Sequence, residues 1–487
     1  MINFPAASLT AFVQPLDTHS CGIIQPLTLF SRCAKRADLF WLDSGDAINA
    51  NAWSYLGYEP AVRVEVYGTK LVTHTASGET FDSSTDALPN FLSRLGRSIL
   101  RKEKPAGAPP FCGGWLGYLS YDFLRGDVMR RGADMPLAVL SYFPSVLAFS
   151  HQEQRWWSCG VFSATDAAQP QSIATDLLTQ NGPSILSLEL PHSQEIPYGF
   201  ALSDFEQRQY IVAVERALEY IRAGDIYQVN LAQRFSSVWE KDAAELYLRL
   251  RAESLAQYGA YLGSALAGGC HALCSISPEL FLSVRGREIL TRPIKGTRPR
   301  DPAPSPAAAE ANARARRELE CSEKERAELN MIVDLERNDL GRVCDYGSVR
   351  VRSAGEVEEL PTLFHRVATI EGRLRDGCSL YDILQATFPG GSVTGAPKIR
   401  AMQIIDELER SARGPYCGAI GWISPDGDMD LSIAIRTAVF DGSAKVAHYH
   451  AGSGIVADSD PQKEYEETLH KAAAFFRATH TTFHPDV

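Results

Sequence analysis

Lys295 stands in the stretch ILTRPIKGTRPR, just after a strand-like run and between Ile294 and Gly296. An amine there is either a solvated surface charge or a nucleophile held against a substrate. Glutamates give the second reading its context. In SEKERAELNMIVDLERNDLGRV, Glu325 and Glu328 are three residues apart and share a helix face. Ile332 and Leu335 continue that face, so the carboxylates stand in line with apolar residues. They lie either at the rim of a buried stripe or in a site. In DPQKEYEETLHKAAAFF, Glu464 and Glu467 repeat the spacing, and Lys471 follows four residues later. Alone, that pattern is a solvated face with a Glu–Lys pair. Facing one another, the two pairs would suit Mg²⁺, which takes oxygen ligands at about 2.1 Å and keeps waters that a substrate can replace. Zinc is disfavoured, because His448 and His450 alternate on a strand without a third ligand.

Two glycine-rich segments offer backbone to a ligand. TFPGGSVTGAPKIRAMQIIDELE runs from a loop into a helix, with Pro397 near the first turn. Exposed N–H groups there can hold an anion; the alternative is a tight strand-to-helix turn. Ala396 and Pro397 follow Gly395 where a Walker loop needs Lys and Ser/Thr, which weakens a nucleotide-binding reading. In HAGSGIVADSDP, Gly452 and Gly454 let backbone approach a ligand, and Ser453 adds a hydroxyl. Arg436, in SIAIRT, alternates with apolar neighbours. It is either a carboxylate grip or an edge-strand charge.

These residues need a scaffold, and 487 residues at 45% hydrophobic content can build one. Net charge is -11, and the densest basic run, ARARRELECSEKERAE, interleaves Arg with Glu, so nucleic acid is not expected as a partner. No apolar run is long enough for a membrane span, and the amino end lacks signal-peptide features. The ten cysteines are scattered, consistent with reduced thiols and a cytoplasmic location. Residues 1–163 mix strand-like runs such as VRVEVYG with turns and read as an amino-terminal subdomain. Residues 164–203, rich in Ser, Gln and Pro, read as a linker or surface connection. Region 204–487 opens with a helix whose expected capping box is Ser203 and Glu206. Its apolar stripe is Ile211, Val214, Leu218 and Ile221. Strands follow in IYQVNLAQRF, HALCSIS, LFLSV and REILTRPI, then one long helical region from Ala307 to Leu340. YCGAIGWIS, MDLSIAIRTAVF and AKVAHYHAG read as an antiparallel meander. A last helix starts at Asp460–Pro461. The class is α+β, with large antiparallel β-sheets and helices outside.

Taken in order, SPELF, PIKGT, RAELNMIVDLERNDLGRV, FPGGSVTGAPK, CGAIGW, SIAIRT and AGSGIVADSDPQKEYEETLHK resemble the chorismate-utilising enzymes. That family includes anthranilate synthase large subunits, isochorismate and salicylate synthases, and aminodeoxychorismate synthase component I. The resemblance spans roughly residues 200 to 475. It implies that the sheets pack as a sandwich and that 204–487 is the chorismate-binding catalytic region. The amino-terminal part is similar chiefly through WLDSG (Trp41 to Gly45), which resembles a segment lining a tryptophan or effector pocket. The proline-containing stretch of that pocket reads here AESLAQYGAYL, with Tyr258 or Tyr261 as the aromatic and no proline, so tryptophan feedback is not inferred.

The resemblance also implies roles. Where water-using members carry an activating lysine, this chain has Gln228, which is no base, so ammonia is the expected nucleophile. Anthranilate synthases resemble PIAGT; PIKGT is the form of aminodeoxychorismate synthase component I. Lys295 would then add at C2 of chorismate, and Glu279, in SPELF, would protonate the departing C4 hydroxyl. Mg²⁺ would be held by Glu328 and Glu467, with Glu325 and Glu464 beside them. Arg436, Lys471, Tyr416 and the Gly452, Ser453, Gly454 segment would hold carboxylates, with Gly296, Thr297 and His365 near the ring. A free lysine is neutral only about 0.04% of the time at pH 7, so activation requires desolvation or nearby positive charge, with Mg²⁺, Arg292 and Arg298 as candidates for that charge. No glutaminase nucleophile motif is present, so a glutamine amidotransferase subunit is implied as the ammonia source. The rivals are an anthranilate synthase large subunit and, from another class, a non-catalytic metabolite-binding regulator.

Overall fold

The computed structural model describes residues 8–16, 24–45, 52–68, 70–101, 107–125, 135–163 and 199–484. Most strands belong to two large, mostly antiparallel sheets. The first, of fourteen strands, places Gln228–Val238 beside Val446–Ile455, then Thr437–Asp441, His271–Ser277, Tyr258–Leu262 and Phe40–Asp43. The second, of twelve, runs from Ile294–Pro299 through Leu363–Arg373, Glu288–Arg292, Leu280–Arg285, Met429–Ile433 and Ala419–Ile423 to Gly114–Leu119 and beyond. An apolar layer joins them: Phe40, Tyr55 and Trp157 of the first meet Leu116, Tyr118 and Trp422 of the second. Helices cover the outer faces. Ala472 and Phe475 of helix Pro461–Thr479 pack with Phe235 and Tyr449 of the first sheet. Leu329 and Val333 of helix Glu323–Gly341 join the cluster of Phe281 and Ile370 from the second. The expected α+β sandwich with outer helices is the observed architecture.

Both sheets run through both parts of the chain. Gly259 pairs with Asp43 and Tyr261 with Trp41; Ile420 pairs with Tyr118. The expected connection 164–203 lies outside the described residues up to position 198, and Gly199–Ser203 is a strand of the first sheet. Among the described residues every cysteine is a free thiol, and no helix is long and apolar enough to cross a membrane.

Three local features differ from the expectation. Ala307 to Leu340 is two helices, Pro306–Cys321 and Glu323–Gly341. Ser322 ends the first in extended backbone and caps the second, its hydroxyl accepting the Glu325 N–H at 3.3 Å. Glu325 and Glu328 therefore stand in the first turns of a new helix, near its positive end. Second, MDLSIAIRTAVF is two strands, Met429–Ile433 in the second sheet and Thr437–Asp441 in the first. The chain changes sheets across Ala434–Arg436, and Arg436 takes φ = 50°. That left-handed conformation costs a residue with a side chain about 1–2 kcal/mol. Third, helix Gln207–Arg222 is capped by Glu206 in a reciprocal box with Gln209. Ser203 instead ends a strand, and its hydroxyl donates to Gln233 Oε1 at 2.6 Å.

Candidate active site

A cavity of about 810 Å³ opens where an edge of the second sheet meets the first sheet and the two glutamate-bearing helices. Glu325, Glu328, Glu464 and Glu467 all line it, from two elements far apart in the chain. Lys295 and Glu279 line it too. Gly296, Thr297 and His365 form one wall, and Tyr416, Arg436, Gly452, Gly454 and Lys471 contribute the rest. Ser453 does not line the cavity. Successive strand residues face opposite ways, so with Gly452 and Gly454 toward the cavity, Ser453 is turned behind it, fully buried beside Tyr210.

Lys295 belongs to edge strand Ile294–Pro299, and its Nζ donates to the Ser392 carbonyl at 3.4 Å. A Cβ on Gly454 would lie 3.7 Å from that Nζ and 2.9 Å from Gln228 Nε2. A side chain there would fill the space in front of the amine. Glu279 is anchored at several points. Its carbonyl accepts the Ile433 N–H at 3.0 Å, its N–H reaches Ser277 Oγ at 3.3 Å, and its Oε1 accepts the Ser392 hydroxyl at 2.6 Å. Burial raises the Glu279 carboxyl above the usual range, against the pull of Ser392 and the Lys295 charge. A carboxyl so placed keeps a proton closer to neutrality, as a general acid must. A second buried acid stands nearby. Glu336 accepts the Thr291 hydroxyl at 3.1 Å, and burial, then the Glu279 charge, pushes it up to about 8.

Arg292 and Arg298, expected to supply positive charge beside Lys295, are neutralised where they stand. Arg292 pairs with Glu358, and Arg298 with Glu325 at 2.8 Å. The charges that feel Lys295 are the carboxylates Glu279, Glu328 and Glu467.

The four glutamates differ in their partners. Glu464 accepts the Ser459 hydroxyl at 2.6 Å. Glu467 pairs with Lys471 at 2.6 Å, and Lys471 also donates to the Gly452 carbonyl at 2.9 Å. Burial would raise Glu467, but Lys471, Lys295 and Lys324 hold it below the usual carboxylate range. Among the described residues, the one ion pair of Glu328 is with Lys324, at 3.9 Å. Burial raises it, and the neighbouring Glu467 and Glu464 charges add to that against Lys295 and Lys324. Glu325 Oε2 is buried and has no hydrogen-bond partner among the described residues. An oxygen-only donor set, an orphaned buried carboxylate oxygen and mutual repulsion among acids fit a hard divalent cation such as Mg²⁺. Among the described residues no three of these glutamates already bring their oxygens within 4.8 Å; Cys270, His271 and Asp441 do, at the opposite end of strand His271–Ser277 from Glu279.

The remaining walls suit carboxylate groups and a flat ring. Among the described residues Arg436 forms no salt bridge, and burial weakens its hold on its proton. His365 Nδ1 lies 2.9 Å from Thr297 Oγ1; burial and the Arg436 charge bring it down to about 4, so the ring is neutral at pH 7. Gly296 takes φ = 83°, and a Cβ there would come within 2.9 Å of the Glu325 carboxyl. Tyr416 stacks on His450 with ring centroids 5.1 Å apart.

The glycine-rich loop is a buried wall, not an exposed anion cradle. Gly391–Val393 form a short 3₁₀ turn, and Gly395–Ala396 pair with Gln228–Val229. Pro397 then caps helix Lys398–Leu408. Lys398 fastens the wall to Asp339 at 2.6 Å and to the Thr387 carbonyl at 2.8 Å. Ser392 faces the cavity and was not legible in advance, since a serine among glycines carries no spacing signal. A second pocket of about 330 Å³ brings Asp43 and Ser44 of the WLDSG segment to Tyr258 and Gly259. Tyr258 is the lining aromatic. Tyr261 packs into the core beside Phe30 and Tyr247.

The profile of the chorismate binding enzymes matches residues 40–477. Aminodeoxychorismate synthase component 1 of Bacillus subtilis is 38% identical over 89% of this chain and 90% of its own length. Anthranilate synthase component 1 of Streptomyces coelicolor is 36% identical over 93% of this chain and 86% of its own length. Among solved structures, anthranilate synthase component I of Streptococcus pneumoniae superposes with a TM-score of 0.68 at 30% identity, covering 86% of this chain and 91% of that one. MenF, the menaquinone-specific isochorismate synthase of Escherichia coli, shares the fold with a TM-score of 0.67 at 17% identity, covering 97% of this chain and 95% of that one. The chain belongs to the chorismate binding enzyme family.

Proposed function

We propose that this chain is the chorismate-aminating component of an aminodeoxychorismate synthase. It converts chorismate and ammonia to 4-amino-4-deoxychorismate, on the way to p-aminobenzoate and folate, with ammonia supplied by a glutamine amidotransferase subunit. One observation carries the reading. The residue at 295 is a lysine, and its amine lies inside the carboxylate-lined cavity, joined through Ser392 to the buried acid Glu279. Gln228, at the same wall, supplies no base for water.

In this mechanism Lys295 Nζ adds at C2 of the ring. The two ring double bonds shift toward C4 as the C4–O bond breaks, and Glu279 gives its proton to the hydroxyl, which leaves as water. Ammonia then adds at C4, the double bonds shift back, and the C2–N bond returns its electron pair to Nζ. Glu279, now a carboxylate, accepts a proton shed by the added nitrogen. Arg436, Lys471 and Tyr416 orient the substrate's carboxylates, with the backbone at Gly452 and Gly454. Glu328 and Glu467, with Glu325 and Glu464 beside them, would hold Mg²⁺, which would polarise the ring carboxylate and cancel negative charge around Lys295.

The test is incubation with chorismate, Mg²⁺ and ammonium, followed by product identification. The expected product yields p-aminobenzoate when a p-aminobenzoate-forming lyase is added. Anthranilate would replace this reading with that of an anthranilate synthase large subunit, and an unchanged chorismate pool would leave a binding protein. Glutamine should not substitute for ammonium until an amidotransferase subunit is supplied.

A further inference from the structure

Ser392 touches both reacting side chains at once. Its hydroxyl donates to Glu279 Oε1 at 2.6 Å, and its carbonyl accepts from Lys295 Nζ at 3.4 Å. We infer that Ser392 is a positioning residue that directs the Glu279 proton to Oε2 and aims the Lys295 lone pair into the cavity. The inference rests on the roles proposed above for those two residues.

The chemistry follows from which groups can donate. A carbonyl oxygen accepts better than the hydroxyl oxygen of an acid, so the serine hydrogen on Oε1 favours the acid proton on Oε2, with the Ile294 N–H as a further donor to the carboxylate. A backbone carbonyl can only accept, so one N–H of Lys295 is drawn toward it. The lone pair of the neutral, tetrahedral amine then points elsewhere, with Gly454 leaving its path open. Ser392 itself is fixed. It is 5% exposed and lies in a 3₁₀ turn clamped on both sides. A Cβ on Gly391 would come 2.8 Å from Leu335, and the Val393 carbonyl accepts from Arg413 Nη1 at 2.9 Å. A clamped turn holds both reacting groups without reorganising during the reaction.

Glu279 also feels other charges: Lys295 from the edge strand, Lys471 from helix Pro461–Thr479, Glu336 from helix Glu323–Gly341, Arg436 from the sheet crossover, and the Cys417 thiol. A test must therefore isolate the serine. Ser392→Ala removes the donor and keeps the carbonyl; Ser392→Thr keeps both. For Ser392→Ala, kcat should fall about 10- to 100-fold, with the chorismate KM moved by less than about threefold. Ser392→Thr should restore kcat. The double variant with Glu279→Gln should be no slower than Glu279→Gln alone, because the serine acts through the glutamate. A second readout needs no turnover. In protein with ¹³C-carboxyl glutamate, the Glu279 signal is the one missing from Glu279→Gln. Loss of a donor that favours the carboxylate should move its titration to higher pH in Ser392→Ala and back in Ser392→Thr. An unchanged kcat, a loss that multiplies with Glu279→Gln, or an unmoved Glu279 titration overturns the inference. If product identification rejects the proposed reaction, the titration still decides whether Ser392 governs Glu279.

Discussion

The two cavities differ in how completely their charges are matched: the larger also holds internal pairs, Arg298 with Glu325 and Lys471 with Glu467, but not for every charge. In the smaller pocket each charged side chain answers to another of the same chain. Arg292 is bound to Glu358, Arg285 to Asp430, and Asp43 to Arg251. In the larger one, among the described residues, Arg436 has no carboxylate partner, one buried oxygen of Glu325 is unbonded, and the one ion pair of Glu328 is with a lysine 3.9 Å away. A buried charge or polar atom without a partner costs folding free energy, on the order of kcal/mol each. Charges matched within the chain are architecture. Charges left open are available to a ligand. The contrast sets the larger cavity apart as the candidate site on physical grounds, independently of any motif.

Substitutions can break that contrast, beginning with the largest effect. Lys295→Ala should reduce ammonium-dependent product formation by about 10³-fold or more and abolish any covalent adduct seen by mass spectrometry of the chorismate-treated enzyme. Retention of full activity with the same product would remove the lysine from the mechanism. Glu328→Gln should raise the half-saturating Mg²⁺ concentration at least about tenfold, read both in turnover and by calorimetry without chorismate. Arg436→Met should raise the chorismate KM about tenfold while the thermal midpoint holds or rises, since it deletes a charge the fold leaves unmatched. Asp43→Asn, in the matched pocket, should do the reverse. It removes the charge of a buried carboxylate that accepts from Arg251 Nε, Tyr247 Oη and the Gly45 N–H, costs about 3 kcal/mol in denaturant unfolding, and leaves kcat within about twofold. A large kcat loss from Asp43→Asn with stability intact would erase the distinction between the two cavities.

Glu336 sharpens the comparison through pH. Its folded-state carboxyl is pushed up to about 8 from a usual 4.5. The folded state therefore holds a proton that the unfolded chain has released between those values. The stability it contributes is complete below about pH 4.5 and declines as pH rises through 8, a loss on the order of 4 kcal/mol. Thermal unfolding at pH 5.5 and 8 should show a smaller pH-dependent decline for Glu336→Gln than for the wild type. Equal declines would show that Glu336 does not titrate in that window.

Periodic features were legible in the sequence. The glutamate spacing, the start of the last helix at Asp460–Pro461 and the α+β class follow from local pattern, and each appears in the fold. What was not legible depends on partners distant in the chain. Ser322 divides a run whose composition favours helix throughout. The crossover at Ala434–Arg436 joins two strands that alternate alike, so no local signal shows that they lie in different sheets. Ser453 shares a motif with two cavity-lining glycines yet faces the other way. Arg292 and Arg298 sit beside Lys295 in sequence, but Glu358 and Glu325 take their charge.

The interleaving of early and late strands bears on how the chain is made. Phe40–Asp43 leaves the ribosome long before its neighbour Tyr258–Leu262, and Gly199–Ser203 waits for Thr481–Phe483, far later in the chain. The first sheet is complete only after residue 483 has been made. Until then the nascent polypeptide presents raw edges that invite pairing with other chains. Closure of both sheets therefore joins segments far apart in the chain, and a fragment cut near residue 200 inherits open edges from both.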